Sequence, residues 1–380
     1  MKMALLGCGV VGGGVLELCQ NRCDLTVSCV LVRGPRPELG TLAVRDFSAV
    51  LADPGVETVV EVMGGLHPAY EYVKQAMEKG KNVVTANKAL VAAYYEELLA
   101  LSREKGVSFR CTAAVGGGIP WLTNLERCRR LDTIEGIRGI MNGTTNYILS
   151  HMHRSRADFQ QVLSQAQALG YAEADPSADI DGWDVRRKLA ISANVAFGVR
   201  VEEETIPTFG IRCVTGDDVA SFDRGGLVCK LLATAHTTPR GITAYIQPTL
   251  FPVGTLESAV GENNNLITYT GDHAGQHSFF GQGAGRFPTA SNVVQDCLDI
   301  AAGHPGFYTP EAVPVTPDGG QDAFSYYVRT APGDGWLEGI TVEKWERGVV
   351  TAPVNPYVML AWAENRKRED PALFLSALLP

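Results

Sequence analysis

The sequence has no basic run longer than three residues, and its 33 Lys and Arg are outnumbered by 42 Asp and Glu, for a formal net charge of −9. A nucleic-acid binder needs a basic stripe or patch, so that class of partner is excluded. Long apolar runs are also missing: none approaches the ~20 residues of a membrane-spanning helix, so no membrane partner is expected. The start, MKMALLGCGVVGGG, opens like a secretory signal with a lysine and then apolar residues, but glycine interrupts it almost at once. Cysteine is present without pattern. The nine residues are odd in number and scattered, with no C-x-x-C pair and no zinc-type Cys/His spacing. They read as free thiols of a reducing, cytoplasmic protein. No internal repeat or low-complexity segment occurs.

What is present is a globular chain of 380 residues, 45% apolar and 20% charged, long enough for two or three domains and a sizeable core. Lys2–Leu6 is a short apolar strand, and Gly7-Cys8-Gly9-Val10-Val11-Gly12 follows it directly, opening an apolar helix to Cys19. G-x-G-x-x-G alone is a weak signal. Between a strand and a helix it marks the Rossmann-type dinucleotide fold. Gly7 permits the tight turn, Gly9 lets the backbone approach a pyrophosphate, Gly12 lets helix and strand pack, and the helix start offers free N–H groups to phosphate. The second strand, Val27–Val32, ends in Arg33, where an NAD-specific fold usually places Asp or Glu. A guanidinium pairs with a 2′-phosphate, so with Arg36 nearby NADP is favoured over NAD.

Strand and helix continue to alternate. Thr58–Val62 leads to Gly64-Gly65 and a helix over Pro68–Lys79; Asn82–Thr85 leads to Asn87-Lys88 and a helix over Val91–Lys105. This predicts a parallel sheet with helices on both faces, and ligands outside the carboxyl ends of its strands. Asn87 and Lys88 stand at such an end. A run of three glycines, Gly116 to Gly118, follows. Glu135–Met141 is a strand ending in Asn142-Gly143-Thr144-Thr145-Asn146, a turn or helix start suited to a carboxylate or a nicotinamide. His151 and His153 lie two apart and face differently on a helix, a poor metal pair. From Gly226 to Phe280 the chain reads as strands with turns at 239–241 and 262–265, a mixed sheet for substrate binding or dimer contact. A second glycine cluster, Gly281 to Gly285, precedes an apolar helix, Ala290–Ala301, expected to return to the first domain. The tail beyond Gly303 is rich in Pro and Gly, with a strand-like Tyr326–Thr330 and a final helix-like stretch.

The most telling stretch is LGYAEADPSADIDGWDVRRK, Leu169–Lys188, which packs Glu173, Asp175, Asp179, Asp181 and Asp184 together and closes on three cations. Pro176 and Gly182 prevent one continuous helix. Asp181 reads as the N-cap of a helix from Trp183 to Phe197 that buries Val185, Leu189, Ala193 and Ala196. On it Asp184 and Lys188 are one turn apart, in the favourable acid-before-base order. A solvated loop with a surface ion pair worth about 0.3–0.5 kcal/mol has the same local pattern. The cofactor fold and the second lysine, Lys88, are what set it apart.

With these residues in place, the chain resembles the homoserine dehydrogenase family from Met3 to about Ala301. Six motifs carry the resemblance: GCGVVG at Gly7–Gly12, VVTANKAL at Val83–Leu90, AAVGGGIP at Ala113–Pro120, GIMNGTTNYIL at Gly139–Leu149, the stretch Ala168–Ile191, and GQGAGRFPTASNVV at Gly281–Val294. The resemblance implies an α/β protein with a dinucleotide-binding domain at 1–134, completed by the returning helix at about 286–303. It also implies an α+β catalytic and dimerisation domain with a mixed sheet at 135–285. Residues 304–380 form a C-terminal extension only faintly like a regulatory ACT domain. The implied activity is NAD(P)-dependent interconversion of L-homoserine and L-aspartate 4-semialdehyde, in threonine and methionine biosynthesis, by a cytoplasmic homodimer. Carried over by motif, Lys188 is the catalytic lysine with Asp184 as its partner, and Lys88 a second active-site lysine. Glu173, Asp179, Gly143 and Thr144 bind the substrate; Gly7, Gly9, Val10, Val11, Gly12, Arg33, Gly64, Asn87, Lys88 and Gly283 bind the cofactor.

Reduction of an aldehyde needs hydride at carbon and a proton at oxygen; the cofactor carries the first and the protein must handle the second. Two departures from the family pattern stand out. At Thr112 the family commonly has a glutamate that helps bind a monovalent cation with carbonyls of the following turn. Threonine has no charge, which leaves the backbone of Val115, Gly117 and Ile119 as the candidate site and weakens the case for an ion. Phe209-Gly210-Ile211 replaces a usual Glu-Gly-Ile. Two alternatives to a working homoserine dehydrogenase follow: a related dehydrogenase of another small amino-acid alcohol or aldehyde, and a catalytically silent nucleotide-binding paralogue.

Overall fold

The computed structural model describes residues 1–304 and 313–379. The chain divides into two compact units, one of Met1–Thr133, Asn194–Val199 and Gly281–Val313, the other of Ile134–Ala193, Arg200–Phe280 and Pro314–Pro380. Of the extension set off in sequence at 304–380, residues 305–312 lie outside the described residues, and Pro314–Pro380 falls within the second unit.

The first unit is built on six parallel strands: β1 (Lys2–Leu6), β2 (Thr26–Leu31), β3 (Ala43–Val44), β4 (Thr58–Glu61), β5 (Asn82–Thr85) and β6 (Phe109–Arg110). Their spatial order is β3-β2-β1-β4-β5-β6, and each neighbouring pair is parallel. The order reverses between β1 and β4, the switch point at which such sheets bind ligands. Helices α1 (Val10–Cys19), α2 (Phe47–Ala52), α3 (Ala69–Glu78), α4 (Lys88–Lys105) and α5 (Trp121–Arg129) follow in turn. The returning helix, Arg286–Ala301, packs Ala290, Val293 and Cys297 into one core with Leu5, Val15, Val60 and Val84. Strands β1, β4 and β5 are almost wholly buried, which is why their centres are apolar, whereas β2 is buried only at its last two residues and β3 is half-buried. Sequence reading passed over β3 and α2, which are two and six residues long.

The second unit carries a nine-stranded sheet. Its strands are β7 (Ile134–Ile140), β8 (Leu227–Thr238), β9 (Gly241–Pro252), β10 (Asn264–Gly271), β11 (Gly275–Gln282), β12 (Ser325–Arg329), β13 (Thr341–Lys344), β14 (Val349–Thr351) and β15 (Phe374–Leu378). Their order is β11-β10-β7-β8-β9-β15-β12-β14-β13. The β9–β15 pair is parallel, while β7–β10, β7–β8, β8–β9 and β12–β15 are antiparallel, so the sheet is mixed as expected. The tail ends differently from its expected helix: a helix at Pro356–Arg366 is followed by β15, whose FLSAL run closes the chain in the sheet. Phe209, the departure from Glu-Gly-Ile, is buried 6.4 Å from Phe374 of β15, with Lys367 Nζ 3.8 Å from its ring centroid. An apolar ring at 209 is what this packing needs, and the cation over its face adds to it.

Helices α6 (Gly143–Ser155), α7 (Phe159–Ala168), α8 (Ser177–Ile180) and α9 (Trp183–Phe197) hold the acidic stretch. One expectation is corrected here. Asp181 does not cap α9; Gly182, at φ +88°, supplies the carbonyl that accepts from Arg186 N–H, and the Asp181 carboxylate pairs with Arg212 at 2.6 Å. A left-handed turn is needed between two helices that meet head to tail, and glycine adopts it without a Cβ penalty. Gly210 then pins the loop from outside: a Cβ there would lie 2.1 Å from the Ile180 carbonyl.

Candidate active site

In the first unit the three fingerprint glycines do three different things. Gly7 adopts φ +97° at the end of β1. A Cβ on Gly12 would lie 2.3 Å from the Gly7 carbonyl, so α1 can start against the strand only without a side chain there. Gly9 is different: a Cβ on it meets nothing within 4 Å, because it faces the cleft. Val10 and Val11 open α1 behind it, where the first amides have no intrahelical partner. Such a helix start favours phosphate. The cleft has a volume of about 370 Å³, and Gly7, Gly9, Gly64, Arg33, Arg36 and Arg45 are among its lining.

This lining fits a dinucleotide: bare backbone and a helix start for the pyrophosphate, and guanidiniums beyond the end of β2 for a ribose phosphate. Arg33 is exposed in the cleft, and Arg36 shares its charge with Glu38 at 3.4 Å. Arg45 was missed in the sequence. It sits just beyond β3, and no spacing rule ties it to the glycines.

At the carboxyl ends of β4 and β5, Glu61 and Thr85 stand side by side in register. Glu61 is fully buried, accepting from Thr85 Oγ1 at 2.6 Å and from the amides of Met63 and Gly64 at 2.8 and 3.3 Å. Burial pushes its carboxyl above the usual range, and those hydrogen bonds oppose the shift. Asn87 caps α4 through Leu90 N–H and donates to the Gly65 carbonyl at 2.6 Å. That places Lys88 in the first turn of α4, half-buried. A cation there opposes the helix dipole, a placement that costs roughly 0.3–1 kcal/mol and so points away from a stabilising role.

In the second unit a polar cluster surrounds the start of α6. Lys188 Nζ lies 2.7 Å from Asp184 Oδ2 and donates to the Met141 carbonyl at 2.6 Å, with Asp184 and Lys188 only 8% and 6% exposed. Asn142, the N-cap of α6, accepts from Thr145 N–H and turns its amide nitrogen to two carboxylates: Asp179 at 2.6 Å and Asp184 at 2.9 Å. One asparagine therefore fixes the helix start and both acids. Burial, and then the charge of Asp184, raise the Asp179 carboxyl above its ordinary value, while Asn142 and Lys188 pull it back.

Gly143 is required at its place, since a Cβ would lie 2.7 Å from the Asn263 carbonyl. Thr144 Oγ1 donates to the Tyr171 carbonyl at 2.6 Å, which ties the acidic loop to α6. Glu173 is exposed on that loop, and Gln167 donates to its backbone carbonyl at 3.0 Å. The two histidines face differently, as expected: His151 meets Glu262 and His153 meets Asp223.

The Gly116–Ile119 turn belongs to the first unit, and Gly117 (φ +55°) packs so closely on Gly283 that a Cβ would lie 2.5 Å from its carbonyl carbon. The carbonyls of Gly117 and Ile119 both accept from the side-chain amide of Asn292, at 2.5 and 3.0 Å. Thr112 donates to Asp296, which Arg110 also pairs. A donor already faces two of the three carbonyls proposed for a cation, so these residues do not fit one. Among the described residues no group of three or more His, Cys, Asp or Glu side chains is arranged to hold a metal ion.

The homoserine dehydrogenase family model matches residues 120–298, and the model for the homoserine dehydrogenase NAD-binding domain matches residues 7–112. A homoserine dehydrogenase of Synechocystis is 44% identical over 319 residues, covering 79% of this chain and 73% of that protein. This chain belongs to the homoserine dehydrogenase family. A homoserine dehydrogenase of Mycobacterium tuberculosis is 36% identical over 377 residues, 93% of this chain and 85% of its own, so this likeness runs on into the tail. The solved homoserine dehydrogenase of Thiobacillus denitrificans superposes with a TM-score of 0.88 at 32% identity, covering 100% of this chain and 98% of that one. Family membership makes the chain an NAD(P)-binding oxidoreductase acting on a CH–OH group. No helix among the described residues is long and apolar enough to cross a membrane.

Proposed function

We propose that this chain interconverts L-homoserine and L-aspartate 4-semialdehyde with NADP as the preferred dinucleotide, in the cytoplasm and as a homodimer. The observation that carries the reading is the buried Asp184–Lys188 pair, braced by Asn142 and the Met141 carbonyl, in a chain of this family. A surface pair would be worth little, and burying two charges is costly unless hydrogen bonds complete them. Here they are completed on a helix start, where rigidity serves a reacting group. The nine cysteines are all free, in keeping with a reducing compartment.

When bound, the nicotinamide supplies or accepts the hydride. Lys188 holds a proton at Nζ and exchanges it with the substrate oxygen; Asp184 and the Met141 carbonyl orient the amine. Lys88 stabilises charge developing on that oxygen. Asp179 and Glu173 attract the substrate ammonium, and Gly143 and Thr144 shape the turn beside it. Arg33, Arg36 and Arg45 face the 2′-phosphate.

The deciding experiment is oxidation of L-homoserine with NADP or NAD, followed by absorbance of the reduced nicotinamide, beside a panel of other small amino alcohols. Turnover greatest with homoserine is the expected outcome. Turnover with another amino alcohol alone, or with none of them, would overturn the reading.

A further inference from the structure

The turn after β6 bends its backbone carbonyls inward, toward the returning helix, as a cation-binding loop would. Something other than a metal ion meets them. Asn292 is 6% exposed, and its Nδ2 lies 2.5 Å from the Gly117 carbonyl and 3.0 Å from that of Ile119. The orientation of this amide is fixed by its surroundings. Turned over, its own carbonyl oxygen would face two carbonyl oxygens, with no proton between any of them.

The carboxylate nearest in sequence on that helix is also committed. Asp296 lies one turn beyond Asn292 on the same helix, hence on the same face. Its Oδ1 accepts from Thr112 Oγ1 at 2.7 Å and from Arg110 Nε at 3.1 Å, and its Oδ2 accepts from Thr112 N–H at 2.9 Å. The loop's own amides are used too: Gly118 N–H donates to the Gln282 carbonyl at 3.1 Å and Ile119 N–H to that of Gly116 at 2.8 Å.

We propose that the side-chain amide of Asn292, with Thr112 neutral and bound to Asp296 one turn further along the helix, takes the place of a monovalent cation, so that this turn is held by protein alone. A cation and an N–H donor seek the same carbonyl lone pairs. Two carbonyls converging on one –NH₂ leave a cation with positively polarised hydrogens as its neighbours. The Gly117–Gly283 contact and the start of the returning helix then keep their geometry whatever monovalent ion is in solution.

The test uses the full-length protein and has a readout independent of turnover: thermal unfolding at constant ionic strength in sodium, potassium and tetramethylammonium chloride. The melting temperature of the natural protein should agree within about 1 °C across the three salts. In Asn292→Ala/Thr112→Glu, which opens the place and supplies a carboxylate, sodium or potassium should raise it saturably over tetramethylammonium. A saturable rise in the natural protein overturns the proposal. So does a folded double variant as indifferent to the ion as the natural protein. If the double variant does not fold, the three-salt comparison on the natural protein still decides. A protein inactive on homoserine but indifferent to the ion would count against the proposed function and leave this inference standing.

Discussion

Lys188 reaches back one helical turn to Asp184, Nζ to Oδ2 at 2.7 Å, and both side chains are buried. Replacing the two residues should therefore have different consequences. Lys188→Met removes the proposed proton carrier but keeps most of the apolar stem. Turnover should fall by roughly 10²–10⁴-fold, the usual span for a general acid or base. Binding of the reduced dinucleotide, followed by fluorescence, should change less than about threefold. Asp184→Asn leaves a buried ammonium without its carboxylate. It should cost about 3–5 kcal/mol of stability in denaturant unfolding and move the pH profile of kcat. A Lys188→Met enzyme with near-normal kcat would remove Lys188 from the mechanism.

The fingerprint glycines predict a contrast between two alanines. Gly12→Ala drives a methyl to 2.3 Å from the Gly7 carbonyl, so the turn must open and the fold must weaken, by about 1–3 kcal/mol. Gly9→Ala touches nothing within 4 Å. Its melting temperature should stay within about 1 °C of the natural protein, since surface changes rarely exceed ±0.5 kcal/mol. Its affinity for the dinucleotide should nevertheless fall at least tenfold on the order-of-magnitude scale of a lost close contact. Equal affinities for Gly9→Ala and the natural protein would mean that the pyrophosphate lies elsewhere.

Cofactor choice should rest on Arg33 and Arg45 acting together at the cleft. The double variant Arg33→Ala/Arg45→Ala should lose roughly 10–100-fold in affinity for NADP, the worth of one or two charge-assisted hydrogen bonds. Affinity for NAD should scarcely change, because NAD lacks the phosphate. Titration of both dinucleotides by calorimetry measures the difference. A parallel loss for both would assign the arginines to general electrostatic attraction.

Much of this architecture was legible in the sequence because its signals are local. Strand, glycine turn and helix alternate within about thirty residues in the first unit, and burial of β1, β4 and β5 leaves each an apolar centre. The i,i+4 spacing of Asp184 and Lys188 likewise lies within one helix. What escaped depends on partners far along the chain. Asn142 is 37 and 42 residues from the carboxylates it braces, and Asn292 is 175 residues from the Gly117 carbonyl. β15 looked like a tail because its partner β9 lies more than a hundred residues earlier, and a short apolar run is ambiguous between strand and helix. Asp181 matched a capping pattern, yet the left-handed Gly182 and the charge of Arg212 claimed that corner instead.

The last prediction concerns Asp179, whose carboxyl is held above its ordinary range by burial and by Asp184. The sign of its effect on stability follows from proton counting. Below the unfolded-state pKa near 3.8 both states hold the proton, and the group contributes nothing. As pH rises from there through the raised folded value, the unfolded chain loses its proton first, so folding becomes less favourable, and above the folded value the penalty is constant. Asp179→Asn keeps the oxygen that accepts from Asn142 and removes the charge. At neutral pH the variant should melt about 1–3 °C higher, and the gain should vanish below about pH 4. The same change removes the negative charge proposed for the substrate ammonium, so KM for homoserine should rise at least tenfold, about 1.4 kcal/mol, with a smaller change in kcat. Stability gained together with substrate affinity lost is the signature of an acid kept buried for binding. A variant that melts lower than the natural protein at neutral pH would show that the carboxylate is there for the fold.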